Sequence, residues 1–221
     1  MHAFRDVATA AYCPRKLYYR RRQPADARET PPEVRRRRAV AFRYPELLAD
    51  DAALREAPVE VTPTQFRSRL GSAKARLDCW GALADPDGRD VLLSGKDCRG
   101  VAHKRFEGRA GPSLSLVFTG EPPETGVWHP QSVRLVAAAK ALSWEQETPV
   151  ERVYAEYPAY GVVRAVDVGP RRSAEYREAV RAARTVDSPP PRVDSDAKCQ
   201  PCEFREECGV RTRSLRSLLG G

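Results

Sequence analysis

Methionine and histidine are nearly missing from this chain, which has one Met and three His in 221 residues. His2, His103 and His129 form no ligand spacing with one another, so they define no histidine-built metal centre and read as surface residues. Long hydrophobic runs are also missing. Nothing approaches the 18 consecutive apolar residues of a membrane-spanning helix. The opening stretch MHAFRDVATAAYCPRKLYYRRR has no positive charge ahead of a long apolar segment. Its short apolar part is followed by the charge, which argues against a signal peptide. No internal repeat is visible. These absences lead to the expectation of a cytoplasmic protein with no membrane partner, 41% hydrophobic and 31% charged, with one sizeable core. In that compartment six cysteines read as thiols or metal ligands rather than disulfides.

Lysine is scarce as well: only six of the 38 basic residues are Lys. The net charge of +8 is therefore arginine charge, and it is unevenly placed. Residues 1–50 hold twelve Lys/Arg, including the run Arg35 to Arg38, against six acids. A basic patch attracts polyanions by releasing condensed counterions, which points to nucleic acid. Genomic base composition is the competing source of such an arginine bias.

Apolar spacing predicts a helix over residues 4–22, broken at Pro14, and a second from Glu33 to about Leu48 beyond a linker at 23–32. Residues 50–75 read as helical with a Pro-marked interruption. The segment Ala75 to Gly100 reads as a β-hairpin around the turn Asp85-Pro86-Asp87-Gly88. Residues 101–128 read as loop with one strand at Ser113–Phe118. A helix over Ser132–Glu147 precedes two strands around Pro158-Ala159-Tyr160-Gly161, and Ser173 is expected to cap a helix running to about Val186. This order predicts an α/β fold with a mixed sheet.

The stretch CQPCEFREEC places Cys199, Cys202 and Cys208 in a C-x2-C-x5-C pattern. A tetrahedral zinc site or an iron–sulfur cubane takes four thiolates, so a fourth is required. Cys79 and Cys98 fall on the expected hairpin, where packing is the ordinary role of a free cysteine. Cys13 lies outside the β region, followed by Pro14. Zinc ribbons usually pair two C-x2-C knuckles, whereas this chain has one knuckle and two separated single cysteines. Zinc and an Fe–S cluster both suit four thiolates.

AYCPRKLYY near the start and CQPCEFREEC near the end, flanking a nuclease-like core, resemble the CRISPR-associated iron–sulfur exonucleases, RecB-like members of the PD-(D/E)XK nuclease superfamily. The resemblance implies a mixed-sheet nuclease-like core at residues 33–186 within a single domain. Residues 1–22 and 187–221 would together form a cluster subdomain in which Cys13, Cys199, Cys202 and Cys208 hold a [4Fe–4S] cluster. It also implies Mg- or Mn-dependent trimming of DNA ends in CRISPR adaptation, an antiviral defence, with CRISPR integrase proteins as partners.

In such nucleases an Asp and an acid two residues before a Lys converge on a divalent cation that activates water. By the resemblance Asp78 matches the first Asp and the metal ligand, and Lys96 matches the Lys. Ser94 stands where the acid belongs, and serine is a poor ligand for a hard cation. On this reading Ser94→Glu would raise a weak or absent nuclease activity. The helix after the core departs too, with Arg134 and Ala138 where the family carries Gln and Tyr. Two functions compete: a metal-dependent exonuclease, or a catalytically degenerate module that grips DNA or a partner. A zinc-stapled structural protein is the third reading.

Overall fold

The computed structural model describes residues 1–24 and 30–209. Part of the predicted linker at 23–32 and the end of the segment 187–221 lie outside the described residues.

The chain begins with a two-residue strand, β1 (His2–Ala3), and then α1 (Phe4–Tyr12), which buries Phe4, Val7 and Ala10. Pro14 disfavours a helical backbone at the residue before it and suits the first position of a helix. Cys13 accordingly sits extended, at φ −162°, between α1 and α2 (Pro14–Arg22). This places its thiol at a corner between two helices.

The expected helix over 33–48 is divided. It forms α3 (Pro32–Ala39), a 3-10 turn over Val40–Phe42, and α4 (Tyr44–Ala49). None of the residues of α3 is buried, so its arginines serve no core. Then come α5 (Asp51–Glu56), capped by the Asp50 carboxylate, and α6 (Pro63–Arg76), opened by a reciprocal Thr62–Gln65 capping box.

The predicted hairpin over 75–100 is half wrong. Ala75 and Arg76 complete α6, and Trp80–Ala84 forms a further helix, α7. The buried face Phe66, Leu70 and Ala73 keeps α6 in register to its end, and this period is invisible in a window that starts at Ala75. The Asp85–Gly88 turn therefore leads from a helix into β2 (Gly88–Ser94). β2 pairs antiparallel with β3 (Cys98–Gly108), which reaches well into the stretch expected to be loop. β4 (Gly111–Val117) follows through a tight turn with Gly111 at φ +106°.

The long helix α8 (His129–Glu145) crosses over from β4 to β5 (Arg152–Tyr157), which lies parallel to β4. β6 (Val162–Asp167) closes antiparallel on β5, and α9 (Pro170–Arg184) and α10 (Asp196–Cys199) finish the described chain. Ser173 is not the cap of α9. It is buried inside the helix, which begins after Gly169.

The six strands form one mixed sheet with order β1-β3-β4-β5-β6 and β2 paired to β3, as the α/β reading expects. Helices cover both faces. Phe4, Val7, Leu135, Leu142 and Tyr176 of α1, α8 and α9 pack on one side against Leu114, Leu116 and Val153. Tyr44, Leu47, Leu54, Phe66, Leu70 and Leu83 pack on the other against Phe106, Tyr154 and Val163. Residues 153–157 alternate between the two cores, as a strand buried on both sides must. Phe4 and Val7 of α1 belong to the main core.

The second core contains a buried ion pair. Lys104 and Glu156 are both fully buried, with Nζ 2.8 Å from Oε2. Lys104 also donates to the Ala41 carbonyl at 2.6 Å, and the Ser115 hydroxyl donates to the other Glu156 oxygen. Burial pulls the Lys104 amine below its usual range, and the Glu156 carboxylate opposes that shift. His103, expected at the surface, is buried too, and its Nδ1 accepts the Val117 N–H at 2.7 Å. Trp128 and Trp144 are exposed.

Candidate functional site

Cys13, Cys199, Cys202 and Cys208 line one narrow cavity, although the first two are far apart in sequence. The corner at Pro14 presents Cys13, and the end of α10 with the turns after it presents the other three. The join between the two segments is polar and aromatic. Lys16 pairs with Glu203 at 2.7 Å, Arg15 donates to the Pro190 carbonyl at 2.9 Å, and Tyr19 donates to the Glu207 carbonyl at 3.0 Å. The Tyr19 ring stacks on buried Phe204 with centroids 5.7 Å apart.

The donor set suits a thiolate-held group. Arg15, Lys16, Arg192, Lys198 and Arg205 line the cavity, and among the described residues no acid does. Those cations oppose the negative charge that four thiolates bring. Burial, then the neighbouring thiols Cys13, Cys208 and Cys202, pushes the Cys199 thiol up, since adjacent thiolates repel unless a metal centre offsets their charge. Among the described residues, no group of three or more His, Cys, Asp or Glu side chains is arranged to hold a metal ion. Cys79 and Cys98 are buried in the two cores, as their packing role requires.

The expected catalytic pair is not brought together. Asp78 is exposed in the turn between α6 and α7, in a cavity with Arg109, Arg152, Tyr154 and Asp167. Lys96 is exposed in the β2–β3 turn, in a different cavity with Lys140, Trp144 and Tyr176. Asp97 is committed to Arg184 at 2.5 Å, and Ser94 donates its backbone N–H to Glu145 at 2.6 Å. Asp78 follows a helix, where the resembled motif places it on a strand.

A different site stands at the face of α8. Arg134 lies beside Phe118, its guanidinium 5.8 Å from the ring centre. It shares a basin of about 530 Å³ with Arg5 of α1, Lys16 and Arg20 of α2, and Arg38 of α3. No acidic side chain lines this basin among the described residues. Burial, then Arg38, Arg5 and Arg20, pulls Arg134 down to about 10, which leaves it charged at neutral pH. Burial, then Arg134 and Arg38, holds His103 neutral, with its pKa down at about 2. Sequence reasoning saw Arg134 only as a departure from a motif. The available signal was one arginine inside the otherwise apolar run Val133–Ala139.

The fold and these sites define an α/β protein with helices on both faces of a mixed six-stranded sheet, a four-thiol clasp and a cationic basin. No family model matches the chain, and a search of curated proteins found no match. Among the described residues, no helix is long and apolar enough to cross a membrane.

Proposed function

We propose that the chain is a nucleic-acid-binding protein on a nuclease-like fold that grips its ligand without hydrolysing it. A [4Fe–4S] cluster on Cys13, Cys199, Cys202 and Cys208 would clasp its two ends. The observation that carries the reading is the character of the ground between β3, β4 and α8. Arg134 stands there at the position where the resembled exonucleases carry a supporting Gln. The groups facing it are His103, held neutral, and further arginines, rather than carboxylates that would hold Mg or Mn. A surface of this sign attracts phosphodiesters and repels divalent cations.

When bound, the cluster supplies a rigid crosslink and redox-capable iron. The chain's own contribution is to present four thiols in a pocket whose lysines and arginines balance their charge. The resemblance to CRISPR-associated exonucleases supplies the ligand and partner class: DNA, and the integrase proteins of CRISPR adaptation.

The test uses full-length protein purified without oxygen and fluorescein-labelled DNA, single- and double-stranded, with Mn²⁺ or with EDTA. Binding that falls steeply with salt, equal in Mn²⁺ and EDTA and without cleavage, is the expected result. DNA cleavage lost on Asp78→Ala would restore the exonuclease reading, and absence of binding at low salt would remove both.

A further inference from the structure

Arg134 is the unexplained charge of this fold. Its Nε is buried without a hydrogen-bond partner among the described residues. Arg134 is partly buried beside Phe118 and the basin, and a donor left unpaired in such a place is one that an acceptor from outside the chain can satisfy. The residues around it make the site more cationic still. Arg5, Arg20 and Arg38 each lie close enough to depress its proton affinity.

The basin is also organised. Thr9 is buried on the inner face of α1, donates to the Arg5 carbonyl at 2.7 Å, and accepts from Arg20 Nη1 at 3.1 Å, which fixes the Arg20 fork at the rim. Gln131, one turn before Arg134, is held by the Tyr157 hydroxyl, which donates to its Oε1. The outcome is a concave site of several guanidiniums with a threonine wall, and the ligand that matches it is a tetrahedral oxyanion. Arginine's planar fork binds phosphate oxygens two at a time, and buried forks bind them most strongly.

We propose that the basin is a metal-independent phosphate-binding pocket, floored by Arg134 and rimmed by Arg5, Arg20 and Arg38, that seats one phosphate of a nucleic acid. The proposal rests on the nucleic-acid-binding reading and adds to it a single anchoring point. There the charge that a metal ion would bring to a phosphate is supplied by arginine.

The pocket is tested with inorganic phosphate by calorimetry and thermal shift, in EDTA, on full-length wild type, Arg134→Gln and Arg5→Gln. Labelled DNA is titrated in parallel. Phosphate is expected to bind wild type at one site and raise its Tm, and Arg134→Gln is expected to weaken that binding at least tenfold. Arg134→Gln removes a partly buried charge that Arg38, Arg5 and Arg20 repel, so its own Tm should not fall, and a lost phosphate response then cannot be ascribed to misfolding. For DNA, each variant should lower the slope of log K against log salt by about one.

Equal phosphate stabilisation of wild type and Arg134→Gln would overturn the pocket, as would phosphate binding that EDTA abolishes. If Arg134→Gln fails to fold, Arg5→Gln decides: unchanged phosphate affinity and DNA salt slope would overturn the pocket. Wild-type DNA binding that both variants leave intact would sink the pocket and spare the nucleic-acid reading. Phosphate binding without DNA binding would spare the pocket and sink that reading.

Discussion

Tyr12 and Lys198 bind each other twice across a separation of 186 residues. The Tyr12 hydroxyl donates to the Lys198 carbonyl at 3.3 Å, and the Lys198 amine donates to the Tyr12 carbonyl at 3.1 Å. The ammonium also stands 5.2 Å from the centre of the same ring. Tyr12 ends α1, so its carbonyl is one of the groups a helix leaves without an internal partner. The residues beside this pair are Cys13 and Cys199. Their thiols are thus brought into one cavity by ordinary hydrogen bonds before any metal centre is considered.

That brace sets the expectation for Cys13→Ser. On the proposed cluster, protein purified without oxygen is brown and holds iron, and the variant should lose both and still fold. A crosslink closing a loop this long is worth at most about 5 kcal/mol in the chain-entropy limit. Because the Tyr12–Lys198 and Lys16–Glu203 contacts persist, the loss should be nearer 2–4 kcal/mol, in the range of a removed disulfide. Denaturant titration with iron and zinc quantified on the same samples checks both points. A colourless, zinc-loaded wild type would exclude the cluster.

Acid should destabilise the fold through His103. Its pKa in the folded protein is about 2, against an ordinary histidine value of 6.5, so the unfolded chain binds the proton first. Stability from this group is complete above pH 6.5 and is lost steadily as pH falls toward 2. From pH 7 to pH 5 the loss is about 2 kcal/mol, following from about 1.4 kcal/mol per pKa unit. Replacing His103 with Asn should flatten that pH dependence whatever it does to stability at pH 7. Urea melts at both pH values measure it, and an unchanged slope in the variant would show that other groups carry the acid response.

The Lys104–Glu156 pair predicts an asymmetry. Lys104→Met leaves a carboxylate buried beside Ser115, and the loss should be about 3–5 kcal/mol. The double change Lys104→Met with Glu156→Leu should recover most of it, because two apolar residues need no partners. Equal losses for the single and double variants in denaturant would show that the pair is net stabilising in its own right.

Elements with their own local signals were readable in the sequence. Pro14 marked the break between α1 and α2, Gly161 marked the β5–β6 turn, and the C-x2-C-x5-C spacing together with Cys13 named the four thiols that share a cavity. Elements decided by distant packing were not. Ala75 to Ala84 resembles a strand until the buried face of α6, beginning at Phe66, is counted into it. His103 is polar by composition, but β3 and β4 lie between two helical layers, and burial follows from that position. The basin was illegible because its arginines come from α1, α2, α3 and α8, and no spacing along the chain reports their convergence.

The hardest test of the site falls on Ser94. From the motif alone, Ser94→Glu completes an acid-x-Lys pattern and should raise nuclease activity. The structure argues against this outcome. Ser94 is exposed at the end of β2, opposite Arg99, and Lys96 lies in the turn beyond, in a cavity that does not include Asp78. A carboxylate at 94 would thus join Glu145, which already accepts the Ser94 N–H, and would have no Asp78 across a shared cation. The expected result is no cleavage of labelled DNA in Mn²⁺ or Mg²⁺, with DNA affinity unchanged within about twofold, since surface changes away from a site move free energies by only about 0.5 kcal/mol. Cleavage gained by Ser94→Glu and lost again in the double variant with Asp78→Ala would show that the two turns do meet on a metal.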